Sequence, residues 1–204
     1  MITPKEIIEI IKIHPLKVKN IYMFGSRVYG TANEFSDYDF IVLASSMMEK
    51  QEIRHKEYNI HVHIPSVFLD GLKEYQMQYL ECIYAPQDAK IQEKLVLPDK
   101  TFQLKPDMLV YKGMAQSYNS FNKAKDKIID GDLYRGTKGI FHSIRILQFF
   151  HQIIENGKIT DFSSANDIWN MLKEDYDNEV SDWKYYKEKY LPIKIKFEQL
   201  ITKK

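Results

Sequence analysis

An apolar run, Asn20-Ile-Tyr-Met-Phe24, stops abruptly at Gly25-Ser26, and eleven residues on from that serine Asp37-Tyr-Asp39 opens a second apolar run that continues to Ala44. A chain with this spacing folds as two strands separated by a Gly-Ser turn, with an acid pair at the head of the second strand. Beyond Asp39 the second run is apolar throughout, as in a central strand covered on both faces. Residues i and i+2 of a strand share a face, so Asp37 and Asp39 set two carboxylates side by side, about 6–7 Å apart. Such charges repel unless a cation lies between them. A hard cation such as Mg²⁺ takes one or two carboxylates and completes its shell with water and phosphate oxygens. Upstream, the turn places backbone N–H groups and the Ser26 hydroxyl at the start of a short helix, where aligned peptide dipoles favour an anion. Arg27 follows, able to bind phosphate or to pair with Glu34. Each half of this constellation is common in turns and strand edges; together, at this spacing, they mark a triphosphate-metal site.

Around these runs the first half of the chain mixes strands and helices. Thr3 caps a helix with Pro4 in its first turn and Glu6 at the capping-box position, running to about His14, where Pro15 stops it. Asn59-Ile-His-Val-His-Ile64 alternates with the period of a strand. Residues 66 to 79 read as helix, and Leu80-Glu-Cys-Ile-Tyr84 as a further short strand before Pro86. Two prolines among residues 96–106 mark a linker, after which the pattern turns helical. One helix runs from Pro106 to Asp130 with Val110, Met114, Phe121 and Ile128 on its apolar face, and a second from Leu133 to Asn156, stopped by Gly157. Two more follow, one capped at Ser163 or Ser164 and one, in the Lys- and Tyr-rich tail, broken by Pro192. The expected architecture is a mixed α/β domain of about a hundred residues followed by a helical one. Met47 and Met48 read as core or loop filler.

The charge balance narrows the classes of partner. With 29 basic against 28 acidic residues in 204, a formal net of +1, no global field draws the chain to DNA or to an anionic membrane. Any anion must be held by a local site. One cysteine, Cys82, excludes an internal disulfide and a thiolate zinc cluster and fits a cytoplasmic location. The N-terminal run is interrupted by Glu6, Glu9 and Lys12, so it reads as an amphipathic helix and not a signal. No apolar stretch approaches the roughly 18 residues of a membrane span.

GSRVYGTANEFSDYDFIVL resembles the signature of the nucleotidyltransferases of the DNA polymerase beta superfamily, in which a Gly-Ser turn binds nucleotide phosphates and an Asp-X-Asp strand binds divalent metals. Within it, the Gly-Ser-Arg-X-Tyr-Gly and Ser-Asp-Tyr-Asp forms are most similar to the predicted nucleotidyltransferases grouped as the RNA repair pathway DNA polymerase beta family. LECIYAP is similar to that group's Leu-Glu-rich segment, and KGIFHSIRILQFFHQIIENGKI to its helix bearing a Lys, a His and an Arg; the resemblance covers about residues 5 to 160. It implies an α+β fold, with a nucleotidyltransferase-like mixed β-sheet and flanking helices over residues 1–97 and a helical domain over 105–204 that closes the nucleotide cleft. It further implies that Gly25 and Ser26 hold the triphosphate and that Asp37 and Asp39 hold Mg²⁺ (or Mn²⁺). The implied reaction moves a nucleoside monophosphate from an NTP, with ATP the expected one, to an acceptor hydroxyl, releasing pyrophosphate. Acceptors in the superfamily include RNA ends, small molecules and proteins. The oligomeric state is left open.

One departure stands out. The superfamily usually carries a third carboxylate on a following strand, thought to activate the attacking hydroxyl, and the corresponding face here bears Asn59, His61 and His63. An imidazole accepts a proton near neutral pH, which makes His61 and His63 the local base candidates. A plain exposed strand face stands level with that reading; zinc is disfavoured, with no cysteine nearby and no obvious third ligand. In the second half, Lys138, His142 and Arg145 fall at i, i+4 and i+7 and share a helical face opposite Ile140, Ile144 and Leu147. That face is ordinarily the solvated side; the resemblance turns it toward the nucleotide, with Tyr118 and Lys123 weaker candidates for the same cleft. Two other classes compete with the enzyme: a nucleotide-binding regulatory module, pseudo-transferase or antitoxin-like, that lost turnover with the third acid, and a plain interaction protein, which would bind no nucleotide with Mg²⁺.

Overall fold

The computed structural model describes residues 2–45, 51–96 and 103–203. Met47 and Met48, and most of the expected linker, lie outside these residues. The chain divides into two compact units, residues 1–103 and 104–204.

The first unit is built on a five-stranded mixed sheet. Its strands are β1 (Val18–Phe24), β2 (Tyr38–Ala44), β3 (Glu52–His55), β4 (Tyr58–His63) and β5 (Lys90–Glu93), in the order β3-β4-β2-β1-β5. β2 lies at the centre, parallel to β4 and antiparallel to β1, and its residues from Phe40 to Ala44 are buried, as expected for an apolar strand with both faces covered. Helix α1 (Pro4–Ile11) opens on the expected capping box: the Glu6 N–H donates to Thr3 Oγ1, and Thr3 N–H donates to Glu6 Oε2 at 2.8 Å. It ends earlier than expected, at Lys12, whose left-handed φ of 55° breaks the helix before Pro15 is reached. Ile7 and Ile11 pack with Phe40, Val42, Ile60 and Val62 on one sheet face.

On the other face, Tyr22 stacks on Phe68 (ring centroids 5.9 Å) and Phe68 meets Tyr79 edge-on at 5.0 Å. Phe68 belongs to α3 (Pro65–Lys73) and Tyr79 to α4 (Met77–Tyr84). Here the structure departs from expectation twice. The helix expected over 66–79 is broken at Tyr75, with φ 52°, and Leu80–Tyr84 is the end of α4 and not a strand. Leu-Glu-Cys-Ile-Tyr suits either state on composition, but burial of Met77, Leu80 and Glu81 follows the helical i, i+3, i+4 spacing.

The second unit is all-helical: α5 (Pro106–Ile129), α6 (Leu133–Asn156), α7 (Asn166–Asp177) and α8 (Trp183–Thr202). α6 is its spine, nearly all buried from Ile140 to Phe150, and its Ile140, Phe141 and Ile144 pack with Phe121, Leu172, Tyr186 and Tyr190. On α5, Phe121 and Ile128 are buried as expected, but Leu109, Gly113 and Ser117 take the inward positions assigned to Val110 and Met114. Pro192 lies inside α8 without ending it. No helix among the described residues is long and apolar enough to cross a membrane.

Asp175, buried at the end of α7, receives Tyr190 OH on Oδ2 (2.6 Å) and both Tyr185 OH (2.9 Å) and Lys189 Nζ (2.7 Å) on Oδ1. Burial opposes ionisation of this carboxyl, but the bonds from Lys189, Tyr190 and Tyr185 outweigh it and hold its pKa below the ordinary value. A carboxylate depressed in the folded state stabilises above its unfolded pKa of about 4, and that contribution is lost as pH falls through the lower folded value. Asp175→Asn therefore costs about 2 kcal/mol at pH 7, less than for a fully buried pair because Lys189 is partly exposed. Thermal melts from pH 7 to pH 2 should show the gap between wild type and variant closing only at the acid end; a gap independent of pH would remove the ionised form from the account.

Candidate active site

Sheet register builds the site. In the β2–β4 pair Asp39 lies opposite Asn59, Ile41 opposite His61 and Leu43 opposite His63, while β1 sets Phe24 opposite Asp39. One face therefore carries Phe24, Asp39 and Asn59 in a first row, His61 in the next and His63 in the third. Asp37 is one residue ahead of β2, exposed on the approach to the strand and not within it as expected.

At the end of β1 the chain turns through Gly25 into α2 (Ser26–Tyr29), a single helical turn closed by Val28 and Tyr29 N–H bonds to Gly25 O. Gly25 has φ 84° and ψ −160°, a conformation that only glycine adopts readily. A Cβ added there would come within 2.5 Å of Asp39 Oδ2. The turn and the acid strand are thus in contact, and the first-turn N–H groups of Ser26 and Arg27 have no acceptor within a helix this short.

Arg27 faces the loop that follows. Its Nη2 donates to Ser36 O at 2.5 Å and its guanidinium lies 3.6 Å over the Tyr38 ring, a loop clamp rather than the pair with Glu34 considered from the sequence. Asn33 shapes the same loop, accepting Phe35 N–H (3.0 Å) and receiving the Ser36 hydroxyl (3.0 Å) on Oδ1. Arg27 and Asn33 therefore set the path by which the chain arrives at Asp37.

Asn59 Nδ2 donates to Asp39 Oδ1 at 2.9 Å and lies 3.4 Å from His61 Nε2. An amide nitrogen only donates, so this contact is a hydrogen bond when His61 Nε2 presents its lone pair to Asn59. His63 stands farther off, stacked behind His61 (6.5 Å) and edge-on to Tyr79 (5.7 Å). Desolvation, then the nearby His61, lowers its pKa. The structure brings Asp39, Asn59 and His61 together and leaves His63 against Tyr79. Among the described residues, no three His, Cys, Asp or Glu side chains cluster as a metal centre would.

A second buried contact supports the turn. Tyr29, the last residue of α2, donates its hydroxyl to Glu81 Oε2 of α4 at 2.5 Å, and the two are 5% and 3% exposed. Both residues stand in segments that carried the family resemblance, but only the fold shows that they meet. Tyr29→Phe takes this donor from a buried carboxyl at a cost of about 1–3 kcal/mol. The melting temperature of Tyr29→Phe should fall by several degrees, at roughly 2–4 °C per kcal/mol for a chain this size, and an unchanged melt would take the Tyr29–Glu81 bond out of the account.

In the second unit, Lys138 is exposed with Nζ 5.1 Å from the Tyr134 ring, and His142 is exposed as well. Arg145 is 4% exposed, held between Phe141 and Phe149, with Nη2 2.7 Å from His142 Nδ1. The shared helical face is therefore not a solvated stripe throughout. Crowding around His142, then the Arg145 and Lys138 charges, lowers its pKa; as the ring surface is exposed, the guanidinium contact is the cause with direct geometry behind it. Tyr118 and Lys123 are exposed on α5.

A sequence model of the nucleotidyltransferase domain matches residues 4–129, from the start of α1 to the end of α5, and the chain belongs to that family. Among solved structures, a nucleotidyltransferase-like protein from Exiguobacterium sibiricum 255-15 aligns over 97% of this chain and 72% of its own, at 13% identity and a TM-score of 0.32, a likeness too loose to argue from. No curated protein matches the chain.

Proposed function

We propose that the chain is a metal-dependent nucleotidyltransferase, moving a nucleoside monophosphate from an NTP, with ATP the favoured donor, to an acceptor hydroxyl on an RNA end, a small molecule or a protein. The observation that carries this reading is the Asp39 carboxylate lying directly over Gly25, where a Cβ would fill the space. A carboxylate against a turn with spare N–H donors, with a second carboxylate two residues ahead of it in the chain, suits a hard divalent cation, Mg²⁺ or Mn²⁺, that arrives with phosphate oxygens as its remaining ligands. Asp37 and Asp39 would hold it, and when bound it would neutralise phosphate charge and favour in-line displacement of pyrophosphate.

The chain's own residues do the rest. Gly25 keeps the turn flat against Asp39, and the Ser26 hydroxyl with the first-turn N–H groups receives the β- and γ-phosphates. Arg27 holds the loop that delivers Asp37. His61, beside Asn59 and Asp39, accepts the proton of the attacking hydroxyl on Nε2, exchanging its 3.4 Å contact with Asn59 Nδ2 for the hydroxyl. His61→Ala is expected to lower kcat by about 10²-fold or more, the scale of a lost general base, and His63→Ala by no more than about threefold. Equal rates for wild type and both variants would take the histidines out of the chemistry.

The reading is tested with α- and, separately, γ-labelled NTPs, Mg²⁺ or Mn²⁺, and a mixed pool of RNA, protein and small-molecule acceptors. Label arriving only from the α position identifies nucleotidyl transfer and the acceptor class; label arriving from γ would replace it with phosphoryl transfer. One observation favours a second reading, a nucleotide-binding regulatory module: the group directly beside Asp39 is the neutral amide of Asn59. NTP bound with Mg²⁺ but never cleaved, against every acceptor tried, would select it.

A further inference from the structure

We infer that Asn59 is a positioning residue that makes this a site for one divalent cation, not two. The inference rests on the reading of Asp37 and Asp39 as metal ligands. A two-cation phosphoryl-transfer site holds its ions about 3.5–4 Å apart, which requires a carboxylate shared between them and enough negative charge to offset four positive charges. Asp39 is the residue placed to be shared, and the fold gives its two oxygens different surroundings. Oδ2 faces Gly25 and the phosphate turn. Oδ1 receives the Asn59 Nδ2–H at 2.9 Å. A hydrogen-bond donor occupies an acceptor position of Oδ1 and carries partial positive charge, so that side offers a second cation neither the lone pair facing Asn59 nor the ligand and negative charge that a carboxylate at residue 59 would supply.

The orientation of the amide is determined by its neighbours. Turning it over would put Oδ1 of Asn59 against a carboxylate oxygen and would withdraw the nitrogen that lies 3.4 Å from His61 Nε2. With Nδ2 inward, its two N–H groups face Asp39 and His61. The same amide thus selects which carboxylate oxygen meets the turn and how many cations the acids hold. A carboxylate at this position would reverse both by adding charge and a ligand where a donor now stands.

The test counts ions. Mn²⁺ binding is followed by electron paramagnetic resonance and calorimetry in the presence of α,β-methylene-ATP, which occupies the site without turnover. Wild type should hold one Mn²⁺ per chain with the nucleotide. Asn59→Asp should hold two. Asn59→Ala should stay at one and bind it about 10–100-fold more weakly, the usual cost of removing the group that orients a metal ligand. Circular dichroism and melting temperature establish that each variant is folded, and the alanine variant carries the test should the aspartate variant fail to fold. Two ions in wild type, a single ion in folded Asn59→Asp, or undiminished affinity in Asn59→Ala would overturn the inference while leaving the metal ligands in place. Failure of wild type to hold any Mn²⁺ with the nucleotide would instead overturn the reading beneath it.

Discussion

Asp39→Asn is expected to lower metal-dependent nucleotidyl transfer by about three orders of magnitude or more while the protein melts within a few degrees of wild type. The substitution is nearly isosteric, and its side-chain oxygen can still accept the Asn59 Nδ2–H that Asp39 Oδ1 accepts now at 2.9 Å. The strand pairing of Asp39 with Asn59 and with Phe24 is backbone-mediated and unaffected. On the proposed reading, what disappears is one of two negative charges that would hold the cation, worth several kcal/mol where phosphate charge develops, at about 1.4 kcal/mol per decade of rate. Asp37→Asn should act in the same direction, since Asp37 is exposed ahead of β2 and its change disturbs no core contact. The checks are label transfer from α-labelled NTP, Mn²⁺ affinity, and a melt of each variant. Full activity in both variants would remove the metal from the mechanism, whatever the fold.

How far the site could be read in advance depends on distance along the chain. The Gly-Ser turn and the alternation of Asn59, His61 and His63 are local patterns, and they stand where local pattern put them; of the acid pair, Asp39 lies in its strand and Asp37 one residue ahead of it. The capping box at Thr3 and the bounds of α6 are equally local: one needs residues three apart, the other a Gly at its end with φ 71°. By contrast, the contact between Asp39 and Asn59 depends on β2 and β4 being parallel neighbours in one register, which periodicity alone does not choose. The Tyr29–Glu81 bond spans 52 positions and needs α4 to be a helix, where residues 80–84 read as a strand. β3 and β5 went unseen because each is only four residues long and none of those residues is buried. Arg145 read as surface because its charge suggests water; its stem and guanidinium instead lie between two phenylalanine rings.

Gly25→Ala is the second substitution with a large expected effect, and it acts by two routes that can be separated. A non-glycine residue at φ 84°, ψ −160° pays about 1–3 kcal/mol in backbone strain. In addition the new methyl would stand 2.5 Å from Asp39 Oδ2 and 3.3 Å from its Cβ and Cγ. Asp39 cannot swing aside without giving up Asn59, so relief comes from opening the turn or expelling the carboxylate, and either parts the first-turn N–H groups from the Asp39 carboxylate. Transfer should fall below detection, and the melting temperature by about 5–10 °C, at roughly 2–4 °C per kcal/mol for a chain this size. Gly131→Ala is the control: φ there is 83°, but nothing lies within 4 Å of the added Cβ, so strain acts alone and activity should be kept. Loss of stability and activity to the same extent in both variants would show that strain suffices. Loss of transfer confined to Gly25→Ala would tie the chemistry to the contact between that turn and Asp39.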